Sequence, residues 1–203
     1  NKVDKLNQGQ SYINHIPSEK IKKLISSKKF QAYSNFSALK DIDCIIICVP
    51  TPLNGKKEPD MSFIESTSDE IAKHLHPGQL IVLESTTYPG TTREILLPKF
   101  EKKSLKTGKD FFLAFSPERE DPGNPKYNTQ NIPKVVGGIT PDCTEVANTL
   151  YSTVIDKTVP VSSTEVAEFT KLLENIYRSV NIALVNELKI LADRMNVNIW
   201  EVI

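Results

Sequence analysis

The fold is indicated most clearly by residues 111–124, FFLAFSPEREDPGN. Five apolar residues are followed directly by Ser116 and Pro117, and then by four charged side chains. A short apolar run between polar segments is typical of a strand that is buried on both faces of a parallel sheet. In open α/β sheets, ligands bind beyond the carboxyl ends of such strands. The charged residues therefore mark either a binding site or a solvated turn, and composition alone leaves both alternatives open.

Two similar apolar runs precede this one, and both end in polar loops. Residues 43–49 end in the loop CVPTP, and residues 80–83 lead into ESTTYPGTT. Shorter runs at 30–33, 134–138 and 158–161 predict further strands, and helical spacing predicts helices between the runs. This alternation indicates an α/β fold with a doubly wound, Rossmann-like parallel sheet.

A long helix is predicted from about Ser163 to Asn196, after the last strand. The expected organisation is therefore a sheet domain at 1–161, followed by a connecting helix at 162–203. Eight apolar residues keep helical spacing and gather on one side of this helix, and we call them the apolar stripe: Phe169, Leu172, Leu173, Ile176, Val180, Ala183, Leu184 and Leu191.

Three predicted helices carry the signature of a capping box at their amino ends. Ser62, Thr91 and Ser162 are each followed three residues later by a glutamate. In a capping box, the first side chain accepts from the backbone and the glutamate accepts in return. We expect each of these three residues to cap its helix.

Composition argues against several classes of partner. Lys plus Arg and Asp plus Glu number 25 each, so there is no basic surplus of the kind that nucleic-acid and membrane-surface binders carry. Cys44, Cys48 and Cys143 lack metal-ligand spacing and suit a reducing cytoplasm. No apolar stretch approaches membrane-spanning length. We expect no nucleic acid, membrane or metal partner, and we expect the chain to be a piece of a longer protein because it begins, without Met, in helix-like sequence.

The three polar loops are expected to line one crevice, because the carboxyl ends of parallel strands meet at one edge. Thr86, Thr87, Thr91 and Thr92 lie beside a predicted helix amino terminus, whose free N–H groups favour anions such as a pyrophosphate. The alternative for each threonine is capping or solvent exposure, and for Thr91 capping is favoured. Three such loops in succession favour a site over three unrelated turns.

The long helix adds a polar face to this crevice. Lys171, Asn175 and Arg178 lie at positions i, i+4 and i+7, so they share one side, roughly opposite the apolar stripe. The alternative is an ordinary solvated face. That alternative is weakened because a second domain is expected to cover the helix in a longer protein.

Six stretches, taken in order, resemble the UDP-glucose/GDP-mannose dehydrogenase family, and the UDP-N-acetylglucosamine (UDP-GlcNAc) 6-dehydrogenases within it: KVDKLNQGQSYINHI, CVPTPL, LESTTYPGTT, FSPEREDPGN, IPKVVGG and EFTKLLENIYRSVNIALVNE. The resemblance implies NAD-dependent oxidation of the C6 alcohol of a UDP-sugar to a carboxylate, in two hydride transfers, for bacterial surface polysaccharides. It also implies a cytoplasmic protein with an NAD-binding domain, a long helix that forms a homodimer, and a further substrate domain.

The resemblance also implies catalytic roles for three residues. Lys171 matches the general acid/base or alkoxide stabiliser, and Asn175 matches its partner near the C6 oxygen. Glu118 matches a glutamate that positions the hydrolytic water. An ammonium beside a developing alkoxide is chemically reasonable, since one such donor is typically worth about 10²–10³ in rate.

Binding roles are implied in the same way for five further residues. Arg119, Glu120 and Arg178 match positions that contact the UDP-sugar substrate. Thr51 and Thr86 match positions that touch NAD. The resemblance implies no metal.

Two features of the family are missing from the sequence. It contains no G-x-G-x-x-G, and its cysteines match no nucleophile motif, so we expect the chain alone to lack useful dehydrogenase activity. The alternatives are UDP-N-acetylmannosamine (UDP-ManNAc) or UDP-glucose as substrate, and a catalytically silent nucleotide-binding or dimerisation module. A hydroxyacid or acyl-CoA dehydrogenase is a weaker alternative, because such enzymes are expected to lack the Lys/Asn/Arg face together with SPER.

Overall fold

The structure, a computed structural model, describes residues 1–13, 16–102, 104–118 and 129–203. Within these residues, five strands form one sheet in the order β1-β2-β3-β4-β5. The strands are β1 Cys44–Ile47, β2 Leu80–Leu83, β3 Phe112–Phe115, β4 Lys134–Gly138 and β5 Thr158–Val161.

Helices precede, connect and follow these strands. A 3-10 helix at Ser37–Asp41 leads into β1, and a π-helical turn at Thr92–Leu96 continues directly into α4. The α-helices are α1 Lys2–Asn7, α2 Ser18–Ser26, α3 Ser62–His74, α4 Leu97–Glu101, α5 Pro141–Ser152, α6 Thr164–Arg194 and α7 Ile199–Val202.

The predicted α/β fold is confirmed, but one strand direction differs from the prediction. The pairs β1–β2, β2–β3 and β4–β5 are parallel, whereas β4 runs antiparallel to β3, with Ala114 opposite Gly138 and Phe115 opposite Gly137. A buried apolar run has the same composition in either orientation, so KVVGG does not encode its direction. The consequence is that β4 begins, at Lys134, beside the carboxyl end of β3.

Both faces of the sheet are covered by helices, as expected for a doubly wound fold. One core lies under α3, α4 and the first turn of α6, and it includes Ile64, Phe100 and Ala167. The opposite core lies under α5 and includes Ala147 and Tyr151. Strand β2 contributes to both cores and is fully buried, which explains its uninterrupted apolar sequence.

Two local predictions are wrong. Residues 30–33 form no strand. Ser62 is the first residue of α3 rather than its cap, and the Asp60 carboxylate accepts its N–H at 3.0 Å.

The cap of α6 also differs from the prediction by one residue. Ser163, rather than Ser162, caps the helix and accepts the Val166 N–H at 3.3 Å. Because adjacent serines offer the same hydroxyl, their sequence does not say which of them leaves the helical conformation. Among the described residues, no helix combines the length and apolarity needed to cross a membrane.

Candidate functional site

Hydrogen bonds join the loops that follow β1 and β2. The Ser85 hydroxyl accepts the Val49 N–H at 2.9 Å and lies 3.4 Å from the Ile47 carbonyl, to which it donates. The Thr51 hydroxyl donates to the Thr86 carbonyl at 2.8 Å. The expected adjacency of these two loops at the carboxyl edge of the sheet is therefore present.

The loop after β3 joins the same edge. The Ser116 N–H donates to the Leu83 carbonyl at 3.0 Å, and the buried Ser116 hydroxyl donates to the Val135 carbonyl at 2.8 Å. Two residues later, the exposed Glu118 offers its backbone carbonyl to the Lys171 ammonium at 3.0 Å. The structure thus brings together two of the three residues for which catalytic roles were predicted.

Helix α6 turns its Lys171 side towards the sheet. Thr164, Ala167 and Glu168 are the buried residues of its first turns, and at 100° per residue they lie on the same side as Lys171. One turn further on, the Arg178 guanidinium lies 3.4 Å from the Asn175 amide oxygen, to which it donates. Lys171 and Asn175 are half-buried and Arg178 is exposed, so the polar face passes from the sheet edge into solvent.

The apolar stripe faces away from the sheet. Its side chains are largely exposed in the part of the chain that the structure describes: Phe169 is 51% exposed, Leu173 55% and Val180 60%. An open surface groove runs beside the stripe from the polar face, lined by Asn175, Arg178, Ser179, Ile182, Ala183 and Asn186.

Glu168 is a site residue that the sequence reasoning missed. Its buried carboxylate accepts the Gly90 N–H at 2.6 Å, the Thr92 N–H at 2.9 Å and the Thr92 hydroxyl at 2.7 Å. The Thr91 hydroxyl instead donates to the Tyr88 carbonyl, so the predicted Thr91 capping box is wrong. At this helix start, the Gly90 and Thr92 N–H groups, which a bound anion would otherwise use, already donate to an internal carboxylate, so pyrophosphate binding here stays a prediction.

Electrostatics distinguish Glu168 from its neighbour Glu165 on the same helix. Burial raises the pKa of Glu168, because its effect is larger than that of the three hydrogen-bond donors, which lower the pKa. The Arg93 guanidinium, hydrogen-bonded to Glu165, lowers the pKa of Glu165 to about 2. The only sequence signal for Glu168 is its position on the helix side that carries Ala167.

A buried ionic cluster lies at the same edge of the sheet. The Lys134 ammonium lies 2.9 Å from Glu84 Oε1 and 4.7 Å from the centroid of the Tyr151 ring, and the Tyr151 hydroxyl donates to the same carboxylate. Burial and the Glu84 charge raise the pKa of Tyr151, so the phenol stays protonated and donates. The sequence reasoning used none of these three residues.

Cys48 lies next to this cluster, with its sulfur 3.9 Å from Glu84 Oε2. Partial desolvation of the sulfur and the nearby Glu84 carboxylate raise the pKa of the thiol, although Cys48 as a whole is exposed. A thiol nucleophile needs thiolate character, which this environment disfavours. Cys48 is therefore poorly suited to act as a nucleophile.

Two predicted substrate residues, Arg119 and Glu120, lie outside the described residues.

The Thr87 hydroxyl oxygen is buried without a hydrogen-bond partner among the described residues, although the side chain as a whole is only half-buried. The described residues also contain no group of three or more His, Cys, Asp or Glu side chains suited to a metal ion.

Comparison with protein-family models gives two matches. Residues 1–155 match the NAD binding domain of the UDP-glucose/GDP-mannose dehydrogenase family. Residues 165–203 match the central domain of the same family. Together the two matches cover nearly the whole chain.

Individual proteins give the same result. The chain is 38% identical to protein CapL of Staphylococcus aureus over 100% of its own length and 47% of that protein. It is 40% identical to a Pseudomonas aeruginosa UDP-N-acetyl-D-glucosamine 6-dehydrogenase over 81% of the chain and 39% of that enzyme. The structure of a UDP-D-ManNAc dehydrogenase from Pyrococcus horikoshii superimposes with a TM-score of 0.91, at 33% identity, over 99% of the chain and 48% of that protein. The chain thus spans less than half the length of these relatives.

Proposed function

Because the chain belongs to the UDP-glucose/GDP-mannose dehydrogenase family, we propose that the protein containing it oxidises the C6 hydroxyl of a UDP-N-acetylhexosamine, UDP-GlcNAc, to the uronic acid. The family is one of NAD-dependent oxidoreductases, and NAD is the cofactor. The proposal also places this reaction in the cytoplasm of a bacterium. Its uronic-acid product is used in the biosynthesis of surface polysaccharides.

The contact between Lys171 and Glu118 carries this proposal. The ammonium lies 3.0 Å from the Glu118 carbonyl, at the sheet edge where ligands of α/β folds bind. A cation there stabilises the oxygen of the C6 alcohol as it loses its proton, and also the charged tetrahedral species of the second step. Asn175 lies one turn along the same face and donates its amide to the same oxygen.

Glu118 has a separate role in the proposal. Its carbonyl is engaged by Lys171, but its side chain is exposed. A carboxylate free to accept a hydrogen bond orients the water that hydrolyses the intermediate, as a general base. Arg178 holds the substrate from the same face of α6, and Arg119 and Glu120 remain part of the proposal as further substrate contacts.

The described residues offer a partial fit for NAD. Thr86 is exposed at the carboxyl end of β2, and the Thr51 hydroxyl fixes its carbonyl, so both NAD-contacting residues predicted from the sequence lie on the edge that faces Lys171. When bound there, NAD supplies the acceptor for hydride from C6. The sequence has no dinucleotide fingerprint, and the Gly90 and Thr92 N–H groups donate to Glu168, so the proposal assigns no pyrophosphate contact to these two N–H groups.

The division into two units is proposed as the sequence predicts it. Residues 1–161 form the truncated NAD-binding domain, and residues 162–203 form the central helix that links it to a substrate domain. A homodimer through α6 is part of the proposal, and it is supported by the exposed apolar stripe, because large apolar faces are usually covered by another protein surface.

The choice of sugar is tested by steady-state kinetics on the full-length gene product. UDP-GlcNAc, UDP-ManNAc and UDP-glucose are each supplied with NAD, and NADH is followed by absorbance. We expect the highest kcat/KM with UDP-GlcNAc. A higher kcat/KM with UDP-ManNAc would identify that sugar as the substrate instead. If none of the three sugars gave NADH, the proposed dehydrogenase function would be refuted.

A further inference from the structure

We propose that Lys134, held by Glu84 and Tyr151, is a positioning residue that fixes the backbone of Pro117 and Glu118, to which Lys171 is hydrogen-bonded. The inference rests on the proposed function for the role of Lys171. Lys134 itself is buried and does not contact substrate in this proposal. Its effect is exerted through the backbone of Pro117 and Glu118.

The antiparallel direction of β4 makes this arrangement possible. Lys134 is the first residue of β4, and because β4 runs against β3, that first residue lies at the carboxyl end of β3. A parallel β4 would place Lys134 at the opposite edge of the sheet. The bond from the Ser116 hydroxyl to the Val135 carbonyl ties the same two chain segments together at 2.8 Å.

Two lysines then hold two consecutive carbonyls. The Lys134 ammonium lies 3.4 Å from the Pro117 carbonyl, to which it donates, and the Lys171 ammonium donates to the Glu118 carbonyl at 3.0 Å. The first lysine comes from β4 and the second from α6. The position of the Lys171 ammonium relative to the sheet edge is therefore set partly by the backbone segment that Lys134 anchors.

Glu84 and Tyr151 hold the Lys134 ammonium in place. Glu84 follows β2 directly, and its Oε1 atom accepts from both the Lys134 ammonium and the Tyr151 hydroxyl. The Lys134 ammonium also lies over the face of the Tyr151 ring. The Glu84 carboxylate, the Tyr151 ring and the Pro117 carbonyl thus surround the Lys134 ammonium, which leaves it little freedom to move. Loss of its Glu84 partner would leave a buried charge unpaired, which is strongly unfavourable.

The test compares Lys134→Met with Lys99→Met in the full-length gene product. Lys99 is a matched control, because it is also largely buried, pairs with Asp69 at 2.8 Å and donates to the Glu65 carbonyl at 3.1 Å, but it lies on α4. Misplacing a reacting group by about 1 Å costs about 100-fold in rate. We expect Lys134→Met to lower kcat by about tenfold to 100-fold with KM changed less than about threefold, and Lys99→Met to leave kcat within about twofold.

Two further variants separate positioning from loss of folding. Lys134→Arg keeps a charged donor and is expected to recover most of kcat. The double change Lys134→Met with Glu84→Gln leaves no unpaired buried charge, so it folds more readily than the single variant. It is still expected to have a low kcat, because nothing holds the Pro117 carbonyl. A kcat near that of the wild type in this double variant would overturn the inference.

Hydrogen exchange gives a readout that does not depend on activity. We expect Lys134→Met to accelerate exchange at the Ser116 amide, which donates to the Leu83 carbonyl, by at least about tenfold relative to Lys99→Met, since the segment that follows β3 opens more often. Equal exchange in the two variants would overturn the inference. A wild-type protein without dehydrogenase activity would count against the proposed function alone, and exchange would still test the positioning.

Discussion

Replacement of Glu168 by alanine tests how α6 holds the start of the π-helical turn that follows β2. The carboxylate is fully buried and accepts the N–H groups of Gly90 and Thr92, at 2.6 and 2.9 Å. Alanine leaves both buried donors without an acceptor, while the Thr92 hydroxyl is free to turn. Each buried donor left unpaired costs about 1–3 kcal/mol, so we expect a loss of about 2–6 kcal/mol for the two. This is a large share of the roughly 5–15 kcal/mol that stabilises a typical domain.

The assay is hydrogen exchange at the Gly90 and Thr92 amides, compared with Glu165→Ala as control. Glu165 is an acid three residues earlier on the same helix, but it pairs with Arg93 near the surface. A loss of about 1–3 kcal/mol at each amide corresponds to exchange about 5-fold to 150-fold faster. Exchange in Glu168→Ala no faster than in Glu165→Ala would refute the reasoning.

A second variant separates the charge of Glu168 from its acceptor oxygens. Because burial raises the pKa of this carboxyl, its ionisation contributes no net stability relative to the neutral form. Glu168→Gln keeps one acceptor oxygen and removes the charge, so it should retain more protection than Glu168→Ala. The wild type should also lose stability relative to Glu168→Gln as the pH rises above 4.5 through the folded-state pKa. If Glu168→Gln were as damaging as alanine, the charge itself would be the stabilising feature.

Four further outcomes are expected. In the full-length gene product, Lys171→Ala should lower kcat at least about 100-fold, and near-wild-type turnover would remove Lys171 from the site. Gly137→Ala places a Cβ 2.2 Å from the Ser163 carbonyl, so it should cost about 1–3 kcal/mol in a thermal or urea melt, whereas Gly55→Ala, with open space around it, should cost less than about 0.5 kcal/mol. Glu165→Gln should destabilise by less than about 1 kcal/mol above pH 4.5, and this effect should vanish as the pH falls towards 2, because Arg93 depresses the pKa of Glu165. The 203-residue chain alone should give no steady NADH production with UDP-GlcNAc, and sustained turnover would show that its own residues complete the site.

The parts of the fold that depend on local sequence were predictable. The strand at 80–83 matches its apolar run residue for residue, because burial on both faces leaves a continuous apolar signal. The strand at 158–161 also has the predicted bounds, although it is only partly buried. The adjacency of the loops after β1, β2 and β3 followed from the rule that parallel strands end at one edge. The helical period alone was also enough to predict that Lys171, Asn175 and Arg178 share one face of α6.

The parts that depend on distant partners were not predictable. Glu168 contacts residues more than 70 positions away, and no local pattern marks an acid that will cap another helix. The sequence KVVGG does not determine the direction of β4. The ionic cluster of Lys134, Glu84 and Tyr151 was therefore not predicted, because it depends on that direction. The one-residue shift at Ser163 reflects a competition between two equal hydroxyls that only packing decides.

The protein carrying this chain is proposed to oxidise an alcohol fully to a carboxylate with NAD. The most direct test is the amount of NADH formed for each UDP-GlcNAc consumed when the full-length gene product is run to completion with excess NAD. Two molecules of NADH for each sugar are predicted, because two hydrides leave C6 on the way to the acid. One molecule of NADH for each sugar, or consumption of the sugar without NADH, would contradict the account.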